Sequence, residues 1–372
     1  MDLQSLPTPS LVLDIERVKR NADQIGTRVR NLGARLRPHV KTHKCIEVAR
    51  IQNDGRSGPI TVSTLAEARA FAANGFSDIT YAVPIEPGKF EAAIELAKSC
   101  EHLNLITDDP EIPSLLNKAA AKADLTVDLF LKVDSGYHRC GVELGSPEAI
   151  SIPAEISGSS NLRFAGILTH AGHSYHYRSR EDRLTVARQE RDVMVELAQT
   201  LRDSGIDTPT VSLGSTPTMT VVDHLDGIDE ARPGNYIFYD GFQAAIGSCT
   251  TEDCALTVLA AVVNCDSKRR KLVIDAGAIA LSKDRGPIEF DPSCGYGQVL
   301  DLEGRDLGLR VESLSQEHGE IRADIANDVN LKVGSRVRVL PNHSCLSAAQ
   351  HSHYNILEGE AIVDRWEIQG GW

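Results

Sequence analysis

Residues Arg37-Pro38-His39-Val40-Lys41-Thr42-His43 set a lysine among two imidazoles and a guanidinium, at the end of an extended-looking run, Ala34–Val40. A lysine at the C-terminal end of a barrel strand lies where the active sites of such barrels collect. Burial there strips the amine of hydration, lowers its pKa and makes it a nucleophile able to form a Schiff base with an aldehyde. The spacing alone equally admits an ordinary surface lysine beside Lys44. A second such segment, Pro341-Asn342-His343-Ser344-Cys345, lies near the other end of the chain. If the backbone stays extended beyond Ser335–Leu340, His343 and Cys345 are two apart and point to one side. Imidazole with thiolate suits Zn²⁺ or a similar transition metal, and two protein ligands leave positions open for water and substrate. A buried histidine and cysteine without metal is the plain alternative. His351 and His353, just downstream, read as surface residues.

Two loops offer donors for an anion. Leu213-Gly214-Ser215-Thr216-Pro217-Thr218 and Arg232-Pro233-Gly234-Asn235-Tyr236 each follow a strand-like run, with glycines that permit close backbone approach and hydroxyls or amides beside them. Each alone also reads as an ordinary turn. His173 and His176 read either as groups near a substrate or as part of a polar loop.

The elements that must carry these residues alternate. Strand-like runs over Ala34–Val40, Ile60–Ser63, Asp78–Val83, Leu103–Thr107, Thr126–Val133, Phe164–Thr169, Thr210–Leu213 and Glu230–Pro233 are separated by amphipathic stretches such as Leu65–Ala73 and Arg183–Arg202. Eight such alternations predict an α/β fold, a parallel (β/α)8 barrel of the TIM type over residues 16–240. From residue 241 to 372, Val-, Ile- and Leu-rich runs broken by Gly, Asp and Asn predict a C-terminal β-rich domain that carries the His343–Cys345 pair. These runs include Ala255–Asn264, Lys271–Asp275, Gly319–Ala323 and Ser335–Leu340, and residues 1–15, with the strand Pro9–Asp14, are assigned with them.

Taken together, the Arg37–Thr42 and Pro341–Cys345 segments resemble the anchoring and metal motifs of the D-threonine aldolase and D-serine dehydratase family, whose members use pyridoxal 5'-phosphate (PLP) on an alanine racemase-like (fold type III) barrel. D-threo-3-hydroxyaspartate dehydratase-type members look nearest. The resemblance extends to Asp134–Gly141, Thr169–Tyr175, Lys283-Asp284-Arg285-Gly286 and the closing Gly371-Trp372. It implies that Lys41 is both the catalytic residue and the anchor of PLP, and that Gly214, Ser215, Thr216, Gly234 and Asn235 form the phosphate loops. It also implies that Arg139 lies near the cofactor's phenolate oxygen, that His170 lies on or beside the ring, and that Tyr175 faces the ring nitrogen. A neutral phenol there makes the ring a weaker electron sink than an aspartate would. A divalent metal on His343 and Cys345 would compensate by activating a substrate hydroxyl; Zn²⁺ is favoured, with Mn²⁺, Co²⁺ and Mg²⁺ as alternatives.

The implied activity is a lyase acting on D-β-hydroxy-α-amino acids. A dehydratase giving a 2-oxo acid and ammonia is preferred, and an aldolase giving glycine and an aldehyde is the alternative. A racemase or a non-catalytic PLP carrier fits less well, since neither uses a metal pair. A homodimer follows from the resemblance. The net charge of −13 argues against nucleic acid or anionic membrane as partner. No apolar run approaches the roughly 20 residues of a membrane span, and the start of the chain lacks the basic and apolar regions of a secretory signal. Eight scattered cysteines with no CxxC pair suit reduced thiols and a cytoplasmic location.

Overall fold

The computed structural model describes residues 2–322 and 331–372. Strand β1 (Ser10–Asp14) and helix α1 (Ile15–Asn31) are followed by β2 (Arg35–Leu36), α2 (Ile46–Gln52), β3 (Ile60–Val62), α3 (Leu65–Ala73), β4 (Asp78–Pro84), α4 (Phe90–Ala97), β5 (His102–Thr107), α5 (Ile112–Lys122) and β6 (Val127–Asp134). Next come β7 (Val142–Glu143), α6 (Glu148–Gly158), β8 (Leu162–Leu168), α7 (Arg180–Asp203), β9 (Val211–Leu213), α8 (Thr216–Val221) and β10 (Glu230–Ala231). The later strands are β11 (Leu256–Asp266), β12 (Lys271–Ile274), β13 (Gln298–Leu300), β14 (Asp306–Leu314), β15 (Gly319–Arg322), β16 (Arg336–Leu340), β17 (His353–Glu358) and β18 (Ala361–Glu367). Ala323, the last residue of the expected strand Gly319–Ala323, lies outside the described residues.

Two compact units result: one of Asp23–Lys41, Ala49–Gly234 and Gln369–Trp372, the other of Met1–Ala22, Thr42–Val48 and Asn235–Ile368. The first is the parallel α/β barrel. Its strands run in the order β2-β10-β9-β8-β6-β5-β4-β3, and a parallel bridge between His39 and Thr61 joins the two ends of that order. Helices cover the outside, so β6 is buried almost throughout and appears in the sequence as an apolar run rather than an alternation, whereas β8 is buried throughout only from Gly166 to Leu168. Between β10 and β2, the buried Glu230 carboxylate accepts from Arg37 Nε and Arg35 Nη2, both at 2.8 Å. Arg37 in turn donates to Asp78 at 2.7 and 3.0 Å. A cavity of about 610 Å³ opens among these residues, with His102, Asp128 and Arg163 on its wall. Arg163 and His102 there both pair with Asp128.

The expected strand Ala34–Val40 is shorter in the structure. Pro38 has no N–H to give the ladder, so β2 covers only Arg35–Leu36, although Arg37 N–H and His39 N–H still donate to Ala231 O and Pro233 O at 2.9 and 3.0 Å. The chain then winds into a 3-10 turn, Val40–Thr42.

In the second unit, strands follow the order β12-β15-β14-β13-β16-β11-β1-β17-β18, and β12 pairs back onto β11. The six strands from β12 round to β11 therefore close on themselves as a β-barrel, while β1, β17 and β18 extend the sheet. Leu3, Leu6, Val12, Leu259 and Leu357 pack as one buried cluster of this unit. No helix among the described residues is long and apolar enough to cross a membrane.

Candidate active site

At the C-terminal ends of the barrel strands the sequence places a concentration of positive charge. Lys41 sits on the 3-10 turn after β2 and is exposed, where burial was expected; the shortened strand delivers it onto a turn rather than into the barrel wall. Lys132, on β6, is buried and donates to Val133 O at 2.8 Å. Burial is the main reason its amine falls to about 8; Cys140 and Asp134 oppose the fall, and Arg232 and Arg139 add to it. Arg232, following β10, is buried and donates to Ser212 Oγ and Thr169 O. Its pKa drops to about 10 through burial, although Glu230 and Glu190 pull it up. Arg139 is exposed and its guanidinium lies 4.9 Å from the centre of the Tyr137 ring.

His170 lies half-buried just after β8, with Nδ1 3.4 Å from Gly214 O. Burial lowers its pKa well below 6.5, and Lys41, Lys132, Arg139 and Arg232 lower it further. His39 is likewise held far down by burial and by Lys41 and Arg232. Both imidazoles are therefore neutral at pH 7, and a carbonyl can only accept, so the Nδ1–H form of His170 suits Gly214. Tyr175 is half-buried on the 3-10 turn Gly172–His176. His173 is partly buried and stacks with Tyr137 at a centroid distance of 6.4 Å, while His176 is exposed.

Gly214 has φ +109°, and a Cβ there would stand 3.2 Å from Arg232 N, so the loop after β9 needs glycine to run this close to its neighbour. Ser215 caps α8 and its hydroxyl also meets Ser174 Oγ at 3.0 Å; Thr216 is the first residue of that helix. Gly214, Ser215, Thr216 and Gly234 are all buried. This cationic, glycine-lined end of the barrel fits an anionic aromatic phosphate such as PLP.

Asn235 belongs to the other unit. Its amide donates to Asp240 Oδ2 at 2.7 Å, Ser344 Oγ at 3.1 Å and Cys345 Sγ at 3.5 Å. His343 and Cys345 also differ from expectation in their backbone. The strand ends at Leu340, His343 caps the short helix Ser344–Ala348, and Cys345 lies in its first turn. The two side chains still meet: the His343 contact and charge hold the Cys345 thiol below its ordinary pKa although burial raises it. His343 Nδ1 lies 2.6 Å from Asp284 Oδ2. Burial works against the imidazolium, yet Asp284 and Cys345 raise His343 to about 11. Thr42 accepts from Cys345 Sγ at 3.4 Å, and Asp240 accepts from Ser344 N–H at 3.0 Å. An imidazole oriented by a carboxylate, beside a thiol whose pKa is lowered, fits a divalent transition metal. Among the described residues, three potential ligand atoms come within 4.8 Å of one another at Asp134, His138 and Glu143. There His138 and Glu143 are each 71% exposed and His138 already pairs with both acids.

The sequence reading gave no role of their own to Lys132 and Asp240, or to Arg232 and Asp284, the last two lying in segments it quoted. Lys132 had a visible signal, a charge inside the apolar strand Val127–Asp134. Asp284 lay within a quoted segment but had no role, because nothing local links it to His343.

Comparison with known proteins places this geometry. The profile of the alanine racemase N-terminal domain matches residues 13–241, and that of a putative serine dehydratase domain matches residues 255–357. The chain is 37% identical to D-threo-3-hydroxyaspartate dehydratase of Delftia sp. (strain HT23), covering 100% of this chain and 99% of that protein. It is 33% identical to D-serine dehydratase of Dictyostelium discoideum, covering 100% and 98%. It is 29% identical to D-threonine aldolase of Arthrobacter sp., covering 98% and 93%. The solved Delftia dehydratase superposes with a TM-score of 0.95, with 100% of each chain covered and 37% identity. A cysteine-to-alanine mutant of that dehydratase has been solved in the metal-free form. The fold is alanine racemase-like, a parallel α/β barrel followed by an antiparallel β-barrel. The chain belongs to the D-serine dehydratase and D-threonine aldolase family, and it is a lyase.

Proposed function

We propose that the protein is a PLP- and divalent-metal-dependent dehydratase that converts a D-β-hydroxy-α-amino acid to a 2-oxo acid and ammonia. D-threo-3-hydroxyaspartate and D-serine are its first candidate substrates. The observation that carries the reading is the His343–Cys345 pair with Asp284 behind it, and the full-length likeness to dehydratases supports it. Retro-aldol cleavage is the second reading, supported by the aldolase relative.

Lys41 would hold PLP through its amine and, once released by substrate, move the α-proton with Nζ. The bound cofactor supplies an electron sink for charge developing at the α-carbon. Gly214, Ser215, Thr216 and Gly234 would bind the phosphate, with Asn235 next to the following turn. Arg139 would lie at the phenolate side, Tyr175 at the ring nitrogen and neutral His170 against the ring. Lys132 and Arg232 add positive charge at this end of the barrel. His343 and Cys345 would hold the metal, which supplies Lewis acidity toward the substrate hydroxyl. Asp284 would keep the proton on His343 Nδ1, so that a metal would displace the other ring proton and take Nε2, while Asp240 fixes the Ser344 backbone between the two residues. Zn²⁺ is the metal this donor set favours.

Incubation with D-threo-3-hydroxyaspartate, D-serine and D-threonine, followed by separate assays for 2-oxo acid, ammonia and glycine, tests the reading. Oxo acid with matching ammonia is expected; glycine with an aldehyde would replace the dehydratase by the aldolase. A homodimer in the cytoplasm belongs to the same proposal, and light scattering on the active enzyme checks the dimer.

A further inference from the structure

One buried acid of the barrel has no part in the chemistry above. Glu190 lies on α7, on the stripe formed by Val186, Ala187, Met194 and Leu197, and is 0% exposed. A carboxylate is seldom found on such a stripe unless its oxygens are engaged. Its Oε1 accepts Ala171 N–H at 2.9 Å and Gly214 N–H at 3.2 Å. Ala171 directly follows His170, and Gly214 opens the loop after β9. One oxygen therefore ties together two loops that come from neighbouring strands, β8 and β9.

The tie has a consequence for the His170 ring. Glu190 holds the Gly214 N–H, and the carbonyl of the same residue, on the next peptide, faces His170 Nδ1 at 3.4 Å. The same glycine, at φ +109°, is a conformation with no side chain to restrain it. Free of Glu190, Gly214 could pivot at its Cα and shift the carbonyl that faces His170, and the His170–Ala171 peptide, whose N–H Glu190 also holds, would lose its anchor. Burial raises the Glu190 carboxyl above its ordinary pKa, while the Ala171 and Gly214 amides, Arg232 and Thr218 work against that rise.

We propose that Glu190 is a positioning residue of the cofactor cradle: through the Ala171 and Gly214 amides it sets the spacing of the two loops and the orientation of the His170 ring. The inference rests on the reading of PLP at the barrel mouth. It concerns hydrogen-bond acceptance, so the isosteric amide, whose oxygen accepts the same two N–H groups, should serve nearly as well.

The test uses purified holoenzyme. Wild type, Glu190→Ala and Glu190→Gln are dialysed against PLP-free buffer well below their melting temperatures. PLP loss and the visible circular dichroism per bound cofactor are followed. Glu190→Ala should release PLP at least about ten-fold faster, from two lost hydrogen bonds, with reduced dichroism per bound PLP. Glu190→Gln should keep most of both. A folded Glu190→Ala protein with wild-type retention and dichroism would overturn the proposal, and so would a Glu190→Gln protein as defective as Glu190→Ala. A purely structural role would lower the melting temperature and leave the cofactor's dichroism alone. If Glu190→Ala does not fold, Glu190→Asp, one methylene too short to reach both amides, is judged by the same two readouts. Borohydride reduction of the wild type separates the underlying reading: absence of a pyridoxyl label on Lys41 would remove PLP from this site and the proposal with it.

Discussion

Replacing Glu230 with alanine should open the seam between the last and first strands of the barrel. Glu230 is 0% exposed, and its Oε2 accepts from Arg37 and Arg35 while Oε1 accepts from Ser212 Oγ at 2.8 Å. Removing one partner of a buried ion pair costs roughly 3–5 kcal/mol, because the other charge is left behind. Arg37 would keep its two bonds to Asp78, and Arg35 is half in solvent, so the expected loss lies at the low end, about 3 kcal/mol. Urea unfolding followed by circular dichroism measures it. A loss below about 1 kcal/mol would refute the view that this pair closes the barrel. The effect must also depend on pH. Burial alone would raise the Glu230 carboxyl, but Arg37, then Arg232 and Ser212, bring it down to about 2 in the folded protein. The unfolded carboxyl titrates near 4.3. The folded value is the lower one, so the stabilisation is fully present above about pH 4.3 and disappears as pH falls toward 2. The difference between wild type and Glu230→Gln should shrink across that window. A difference that stayed constant from neutral pH to about pH 2 would mean the carboxylate's charge is not what counts.

Two other outcomes are expected. Chelation by EDTA should abolish lyase activity while the visible absorbance of bound PLP persists, Zn²⁺, Mn²⁺ or Co²⁺ should restore activity, and Cys345→Ala should behave like the chelated enzyme; full activity without metal would sink the metal-assisted reading. Gly166→Ala should destabilise the barrel by roughly 3 kcal/mol in the same urea assay, because Gly166 has φ +133° and a Cβ there would fall 2.0 Å from Thr210 O.

Much of the barrel was legible because its sheet is covered on both faces, by helices outside and by its own side chains inside. Strands so placed must be apolar nearly throughout, and Asp78–Pro84, His102–Thr107 and Val127–Asp134 stand out as such runs. The second unit was harder. Strands His353–Glu358 and Ala361–Glu367 passed unread, since the last lies at the edge of its sheet with Val363 54% exposed and Asp364 and Arg365 in solvent. The His343–Cys345 pair was found by residue type, but for the wrong geometrical reason: a helix turn, not an extended strand, brings the side chains together. Lys41 was found by its motif, whereas its exposure depends on Pro38 ending the ladder early. Glu190 left a trace, a carboxylate on the apolar face of a long amphipathic helix, but its partners are backbone amides and no residue type announces those.

Strand β1 has a bearing on how the chain can be made. It is an interior strand of its sheet, antiparallel to β11 on one side and parallel to β17 on the other. Asn355 Nδ2 donates to Leu11 O across a sequence separation of 344. On the ribosome, this strand therefore emerges well before either of its neighbours. The α/β barrel's strands are complete when Ala231 has emerged, whereas β1 must wait for β11 to occupy one of its sides and for β17, about a hundred residues later, to occupy the other. A nascent chain in that interval carries an open, apolar strand, Ser10–Asp14, that any other edge could capture. Such a segment needs shielding during synthesis that the barrel strands, which pair with near neighbours in the chain, do not.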